Sequence, residues 1–583
     1  KNGALKTHIL IKNILNIGAS EENNSDLSID ELEKNLINTW NIPEIEKFSK
    51  KSIGIFSKDG EVKATDGNIE LKGGEDNIAL YANGGKIDYT GNITVNKSTL
   101  VGDKGNANGI GNMAVFASSP NNYVKVNGDI NMDTRDTVAI YSDNTKVDLN
   151  GKLDIKLKPE STGKNIAIYA KNSSATSPVT VQTNQSKIEI DGKKDDGTIT
   201  NQGLALYAEQ GGQIVANGTS LSDGLYMKVT NGGSAIVSDG ATSNVQAKYS
   251  TIDYDGNGYA LYTKNNGNID VRNAKINLYG KSTGFERSGV LSDPFTINLA
   301  NSKFYAHSND VSIMSLKNIP SLNFSTLAGT FFSGYLGGAE VHGASGAKNY
   351  KIATIDGIGA FNIDSDYDKS RALDPTNEGT NDYVLTRHLL MQRAKINLKS
   401  GNNVRAILSS SDIADLGEQT AVGLANYVGD EINLETNTSV NVDRTDKASG
   451  AVGVGSVGLF ADDGRINVAS GATINVEKEN NFVNGSSVGI YASNGAAVSN
   501  AGTVNVGGKG SIGILSMTRR IDPDGNPLPG GSTLSFRNES TGVINMDGES
   551  AIGMYVLNND SFAFNPINNG YNYGIINISG NNA

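Results

Sequence analysis

The chain has 583 residues, a formal net charge of −12, 69 glycines, 11 prolines, one tryptophan and no cysteine. This mildly acidic balance, without a cluster of lysine and arginine, argues against a nucleic-acid-binding protein, because phosphates require a basic surface. No apolar run reaches the roughly 18 residues of a membrane-spanning helix. The lack of cysteine excludes disulfides and thiol chemistry, and it fits a long chain exported into an oxidising compartment.

The first 50 residues differ from the rest and predict a short helical or irregular segment. Ser28 and Glu31 have the spacing of a capping box, and Pro43 ends the run that follows. The apolar residues between them recur at helical spacing: Ile29, Leu32, Leu36 and Trp40. We interpret Trp40 as a packing residue rather than part of a ligand site.

From residue 51 onward a short sequence motif recurs, which we call the word. In it, apolar, small and aromatic residues precede Asn, Asp or Gly. It reads NIALYANGG from Asn77, VAIYSDN from Val138 and VGIYASNG from Val488. The plausible equivalents of Tyr81 in this word are Phe56, Phe116, Tyr141, Tyr169, Tyr207, Val237, Tyr262, Leu291, Met314, Leu408, Phe460, Tyr491, Leu515 and Tyr555. Steps of 23 to 38 residues separate the members up to Met314, and such a period is typical of a solenoid.

Each repeat contains about three short stretches of alternating apolar and polar residues, rich in β-branched side chains and separated by Asn, Gly and Asp. The intervals leave no room for helices. The sequence therefore predicts an all-β fold, a right-handed parallel β-helix. Its coils are expected over residues 51–314 and again over 406–583, where the chain ends inside a repeat.

Alternation within the word predicts which side chains face the core. Ile78, Leu80 and Ala82 share one face, which we expect to be buried, and Ala79 and Tyr81 share the outward face. Asparagines at the turns are expected to adopt left-handed backbone conformations or to stack as ladders: Asn83, Asn144 and Asn494.

The outward aromatic column consists of Tyr81, Phe116, Tyr141, Tyr169 and Tyr207. Such rings can stack on the apolar faces of sugars, or they can stabilise the sheet by stacking on one another. Replacement by Val237, Leu291 and Met314 keeps the hydrophobic character and loses the ring. This pattern favours the structural role.

The word is missing between Met314 and Leu408, and residues 315–405 predict irregular coils with a projecting insertion. Loops on a rigid scaffold commonly carry recognition, so residues 364–395 are our candidate partner-binding loop. Its candidate contact residues are Asp364, Tyr367, Arg371, Tyr383 and Arg387.

Asp364, Asp366 and Asp368 have the spacing that begins a calcium loop. However, Lys369 stands where a glycine is expected and Pro375 where an acidic residue is expected, so a solvated turn is favoured. The segment from Asp522 to Pro527 is interpreted as a tight turn. The histidines share no metal-ligand spacing: His8, His307, His342 and His388. No cofactor is predicted.

The alternative function is a β-helix enzyme acting on polysaccharide, which needs converging carboxylates. Outward acids on neighbouring coils are the candidates: Asp88, Asp148, Glu189 and Asp270. Because they recur with the repeat, whereas a catalytic site is asymmetric, a non-catalytic protein is favoured.

The segments VGIYASNG, SIGILS, AIGMYV and GTVNVGG resemble passenger repeats of the very large autotransporter adhesins of fusobacteria, which are secreted by the type V route. The resemblance begins near Ser52 and is poor over residues 320–400. It implies a passenger displayed on the bacterial surface, with a signal peptide before it and an outer-membrane barrel after it. We expect the chain to be monomeric. The resemblance also implies binding to a host-cell protein or glycan, or to other bacteria. No binding residues are carried over.

Overall fold

The computed structural model describes residues 15–17, 51–96 and 109–289, with gaps at 121, 162–164 and 173–176, and then shorter stretches between 293 and 579. Every bounded element in these residues is a β-strand, and successive coils pair in parallel. The prediction of a parallel β-helix is confirmed. The predicted helix ending at Trp40 lies outside the described residues.

The chain divides into two compact units. Unit 1 comprises Lys1–Phe285, Phe295–His307 and Gly337–Val341, and unit 2 comprises Glu286–Pro294, Ser308–Leu336 and His342–Ala583. Two strands, β26 (Thr283–Ser288) and β31 (Glu340–Gly343), have bounds on both sides of this division.

Unit 1 has three parallel sheets, and the chain visits them in the order I, II, III in each coil. Sheet I contains β2 (Ile53–Lys58), β5 (Ile78–Asn83), β8 (Met113–Ser118), β11 (Val138–Asp143), β14 (Ile166–Lys171), β17 (Leu204–Glu209), β20 (Ser234–Asp239) and β23 (Tyr259–Lys264). Sheet II contains β3 (Glu61–Ala64), β6 (Lys86–Tyr89), β9 (Tyr123–Val126), β12 (Lys146–Leu149), β15 (Val179–Val181), β18 (Gln213–Val215), β21 (Asn244–Gln246), β24 (Asn268–Asp270) and β27 (Ile297–Asn298). Sheet III contains β1 (Leu15–Ile17), β4 (Ile69–Lys72), β7 (Ile93–Asn96), β10 (Ile130–Arg135), β13 (Leu153–Lys158), β16 (Lys187–Asp191), β19 (Tyr226–Thr230), β22 (Thr251–Asp255), β25 (Lys275–Leu278) and β28 (Lys303–Ala306).

Unit 2 is built in the same way from parallel strands. Three strands form sheet IV: β29 (Ser312–Lys317), β32 (Lys351–Asp356) and β35 (Leu389–Gln392). Sheet V contains β30 (Leu322–Phe324), β33 (Phe361–Ile363), β36 (Ile396–Leu398), β39 (Glu431–Leu434), β42 (Arg465–Val468), β45 (Ala497–Asn500), β48 (Ser535–Asn538) and β51 (Asn569–Asn572). Sheet VI contains β34 (Tyr367–Asp368), β37 (Asn403–Leu408), β40 (Ser439–Arg444), β43 (Thr473–Val476), β46 (Thr503–Val506), β49 (Val543–Met546) and β52 (Ile575–Ile578). Sheet VII contains β38 (Val422–Asn426), β41 (Val457–Asp462), β44 (Val488–Ser493), β47 (Ile512–Met517) and β50 (Ile552–Leu557).

The core of unit 1 is made of aliphatic columns that run from coil to coil. Leu80 pairs in register with Ile55 on one side and Val115 on the other, and both Leu80 and Val115 are fully buried. Each strand alone would expose this face, so the stacking of coils is what removes the apolar side chains from water.

The predicted alternation is correct for Leu80, Ala82 and Tyr81 but wrong for Ile78 and Ala79, the first two residues of β5. Ala79 is fully buried, whereas Ile78 is only partly buried. The first residue lies beside the corner, where the buried Asn77 accepts a hydrogen bond from the backbone N–H of Ser52 at 2.9 Å. Buried and partly buried side chains therefore alternate only from Leu80 onward.

The register confirms the predicted column from Phe56 to Val237 and on to Tyr262. Two later assignments to this column, Leu408 and Met314, are wrong. Leu408 belongs to sheet VI, and Ala425 is the residue that pairs with Phe460 in sheet VII. Met314 is fully buried, so it is a core residue, and Leu291 lies outside the described residues.

The turns agree in part with the prediction for asparagine. Asn144 has a φ of 53°, in the left-handed region, whereas after Asn83 the left-handed residue is Gly84, with a φ of 76°. Asn494 lies outside the described residues.

Residues 315–405 contain more regular structure than the missing word suggested. β33 pairs with β30 and β36, and β32 pairs with β29 and β35, all in parallel. The coil therefore continues through much of this region, with different side chains at the position of the aromatic column.

Candidate functional site

The aromatic column forms a continuous ladder of rings on the outward face of sheet I, and Phe56 adds one ring at its start. Successive ring centroids are 5.3, 4.8, 4.9, 5.2 and 5.0 Å apart from Phe56 to Tyr207. Three of these contacts are stacked, so ring faces meet other ring faces. This arrangement favours stabilisation of the sheet over stacking on sugars.

Three phenol hydroxyls of the column donate hydrogen bonds to carboxylates in the same sheet. Tyr207 donates to Glu209 Oε2 at 2.6 Å, Tyr169 donates to Glu209 Oε1, and Tyr141 donates to Asp143 at 3.4 Å. Burial, aided by Asp143, raises the pKa of Tyr141 to about 12. Burial and the hydrogen bonds to Glu209 raise the pKa values of Tyr169 and Tyr207 further, so these phenols are protonated at neutral pH.

Charged residues of alternating sign form two further ladders in unit 1. The ladder on sheet III has the register Asp133, Lys156, Glu189, Lys228 and Asp253. The ladder on sheet II has the register Lys63, Asp88, Lys125 and Asp148. Each acid thus has a cation on a neighbouring strand, an arrangement that favours pairing of opposite charges across strands.

The acids that could have formed a catalytic cluster are kept apart by these ladders. Lys125 lies between Asp88 and Asp148 on sheet II, and Glu189 belongs to sheet III. Asp270, on sheet II, is bonded to Arg272 at 2.8 Å, and although burial acts in the opposite direction, the hydrogen bonds from Arg272 hold the pKa of Asp270 below its usual value. The structure does not bring these four carboxylates together.

The residues of the candidate calcium and partner-binding loop are only partly described. Tyr367 and Asp368 form β34, where Tyr367 pairs with Val404 and Asp368 with Arg405. This pair therefore belongs to a coil, not to a projecting loop. The other candidates lie outside the described residues: Asp364, Asp366, Arg371, Tyr383, Arg387 and the turn 522–527. Within the part of the chain that is described, no group of three or more His, Cys, Asp or Glu residues is arranged to hold a metal ion.

Unit 2 carries ladders of asparagine that run from coil to coil. On sheet VI each side-chain amide after the first donates to the side-chain oxygen of the preceding asparagine, one coil earlier, at 2.7–2.8 Å. The members are Asn441, Asn475, Asn505, Asn545 and Asn577. Sequence reasoning expected asparagine ladders only at turns. The recurring segments SVNVD, TINVE, TVNVG, VINMD and IINIS carried the missed signal.

Long connections recur at the same corners of successive coils in unit 2. The connections from sheet VI to sheet VII comprise residues 409–421, 445–456 and 477–487. Those from sheet VII to sheet V comprise residues 518–534 and 558–568. Because the strands that flank them pair in register, each set of connections leaves the sheets from adjacent strands.

No family model, curated protein or solved structure matches the chain. A search of the described residues for a helix with the length and apolar character needed to cross a membrane finds none.

Proposed function

We propose that the chain is a non-catalytic adhesin passenger, a β-helical scaffold that displays connecting segments to a binding partner. The observation that carries this proposal is the mutual pairing of outward side chains. Rings stack on rings, charges alternate and amides bond to amides from coil to coil. Sheet faces whose groups are used in this way make a stiff support, and loops on such a support commonly carry recognition.

The partner class follows from the resemblance of the repeats to fusobacterial autotransporter adhesins. We propose that the protein is displayed outside the bacterial cell and binds a host-cell protein or glycan, or the surface of another bacterium. The candidate binding segment is the connection between β34 and β35, which carries the charged and aromatic residues Arg371, Tyr383 and Arg387.

The strand bounds define how this segment should be tested. β34 ends at Asp368 and β35 begins at Leu389, so residues 369–388 can be replaced by a glycine-serine linker of equal length without removing a strand that the structure describes. Binding of the intact chain to glycan arrays, host cells and partner bacteria is compared with binding of this variant. We expect the intact chain to bind and the variant to lose binding.

The matched control replaces residues 445–455, another long connection of unit 2, by a linker of equal length. We expect the control to bind like the intact chain. Retained binding in the 369–388 variant would reject that segment as the binding loop. An intact chain that binds none of the arrayed glycans, cells or bacteria would overturn the adhesin function itself.

A further inference from the structure

Tyr169, Tyr207 and Glu209 form a cluster that the scaffold role does not require, and we call it the tyrosine–glutamate cluster. Tyr169 in β14 and Tyr207 in β17 pair in register, and their rings are stacked with centroids 5.0 Å apart and planes 12° from parallel. Both hydroxyls donate to the same carboxylate, that of Glu209. Lys171 Nζ lies 3.7 Å from Glu209 Oε1 and balances the charge of the carboxylate.

Other ring pairs of the aromatic column lack this combination. Tyr141 and Tyr169 meet edge to face, with planes 74° apart, and the Tyr141 hydroxyl is directed to Asp143 instead. Phe116 stacks between Tyr81 and Tyr141 and carries no hydroxyl. In the tyrosine–glutamate cluster, two oxidisable rings and a proton acceptor therefore meet at one place.

The shared carboxylate matters because a protonated phenol must lose its proton when it loses an electron. The pKa values of Tyr169 and Tyr207 are raised, so neither phenol supplies a phenolate at neutral pH. Glu209 Oε2 lies 2.6 Å from the Tyr207 hydroxyl, within the reach at which a general base removes a proton. Oxidation of these rings can thus be coupled to proton transfer without prior ionisation.

We propose that Tyr169 and Tyr207 are an oxidative modification site, at which a haem peroxidase acting with hydrogen peroxide joins the two rings as dityrosine. Each phenol gives one electron to the peroxidase, and its hydroxyl proton passes through Glu209 to solvent. The two phenoxyl radicals couple by forming a bond between ring carbons ortho to the oxygens. Each of these carbons then loses its hydrogen as a proton, and each phenolic oxygen is reprotonated. The two electrons and two protons reduce one hydrogen peroxide to two waters.

The cross-link would tie two neighbouring coils together in a chain that has no cysteine and therefore no disulfide. Its ends are separated by the whole coil between β14 and β17, so it would close a loop in the unfolded chain, as a disulfide does. The inference does not depend on the adhesin function, because it rests on the geometry of the cluster.

The test treats the full chain with horseradish-type haem peroxidase and hydrogen peroxide at neutral pH. Dityrosine is measured by its fluorescence, and the linked peptides are identified by tandem mass spectrometry. We expect the main cross-link within a chain to join Tyr169 to Tyr207. Tyr169→Phe and Tyr207→Phe keep the ring and remove the hydroxyl, and each should abolish that cross-link.

Glu209→Gln separates proton transfer from simple packing, because glutamine has nearly the same shape and is not a base. We expect its cross-link yield to fall and to recover when imidazole buffer supplies a mobile base. Unchanged yield in Glu209→Gln would overturn the role of the carboxylate. A main cross-link at Tyr259–Tyr262 or at the more exposed Tyr571–Tyr573, whose centroids are 5.2 and 5.9 Å apart, would overturn the site, as would the absence of dityrosine.

Discussion

The two units use the same coil but join successive coils with different side chains. Unit 1 stacks aromatic rings on sheet I and alternates acids with lysines on sheets II and III. Unit 2 places asparagine ladders on sheets V and VI. Charge pairs at a surface are screened by salt, whereas hydrogen bonds between neutral amides are much less so. The two units should therefore respond differently to ionic strength although their strands pair in the same way.

Sheets I and VII also differ at the second residue of the six-residue strand. In sheet I alanine occupies this position in every strand from β5 to β23, as at Ala167, and β2 has glycine, whereas the six-residue strands of sheet VII have glycine, as at Gly489. A Cβ on Gly489 would lie 2.4 Å from Val504 Cγ1 and 2.6 Å from the backbone oxygen of Gly513. Sheet VI thus approaches sheet VII too closely for a methyl group at this position.

The largest effect that separates the units is expected from Gly489→Ala. The added methyl group must displace both the valine side chain and a neighbouring backbone oxygen, and overpacking of this kind costs about 1–3 kcal/mol. Hydrogen exchange of peptides from β44 and β46 measures the loss of local stability.

The matched variant in unit 1 is Ala167→Gly, which removes a methyl group from a fully buried position. The lost burial of this methyl group should lower the free energy of unfolding by about 1 kcal/mol, measured by hydrogen exchange of β14 peptides. A neutral or stabilising Gly489→Ala would show that close approach of the sheets does not determine the glycine in unit 2.

A smaller effect is expected from Asn505→Ala, which interrupts the ladder on sheet VI. Asn505 donates to Asn475 at 2.7 Å and accepts from Asn545 at 2.8 Å, so two hydrogen bonds are lost. At about 0.5–1.5 kcal/mol for each, the total is about 1–3 kcal/mol, reduced toward the lower end by the partial exposure of the ladder. Hydrogen exchange of β46 peptides, measured at increasing urea concentration, should show the same loss in the free energy of unfolding at low and at high salt.

The charged counterpart for this comparison is Lys187→Met in unit 1. Lys187 lies 3.2 Å from Glu189 and 3.8 Å from Asp154, and an exposed pair contributes about 0.2–1 kcal/mol. Its effect should shrink as salt is added. Equal salt dependence for Asn505→Ala and Lys187→Met would remove the distinction between the amide contacts of the sheet VI ladder and the charge pairs of unit 1.

The smallest effect concerns pH and is confined to unit 1. Burial lowers the pKa of His307, which stacks on Tyr279 with ring centroids 4.3 Å apart. Asp253 opposes this shift and Lys275 adds to it. Because the folded pKa is below the unfolded value of about 6.5, the unfolded chain binds more protons between the two values, so stability falls as pH falls through that range.

His307→Phe keeps a ring against Tyr279 and removes the titrating group. The urea midpoint of the native chain should therefore drop between about pH 7 and pH 5 by more than that of the variant. Identical midpoint shifts in both proteins would show that His307 does not contribute to the pH dependence.

Much of the fold could be predicted because copies of the word occupy the same position in successive coils. Tyr81, Tyr141 and Tyr169 repeat with the same neighbours, so their alignment in the sequence is also their pairing in sheet I. The prediction failed where the word changed. Leu408 resembles the end of a marker strand, yet its partner is Arg444 in sheet VI, because the connection that follows moves the marker position to Ala425.

The candidate site could be predicted less well, because the distance between side chains in different coils depends on how repeats of unequal length stack. The sequence of one repeat does not contain that information. Asp88 and Asp148 looked like neighbours in a possible cluster, but Lys125 comes between them when the coils stack. The shared acceptor of Tyr169 and Tyr207 was not predicted either. Glu209 belongs to the column next to the rings, and only the register of β14 and β17 brings it to both hydroxyls.

The sequence by itself determined that the chain forms parallel coils, with Leu80 and Ala82 inside and Tyr81 outside. Alternation, β-branched residues and turn-forming residues act locally, and each repeat contains all of them. The tertiary structure decided the inward position of Ala79, the alternation of charges and the meeting of Tyr169, Tyr207 and Glu209. These features depend on side chains about one strand spacing apart in space but a whole coil apart in sequence, so they exist only once the coils have stacked.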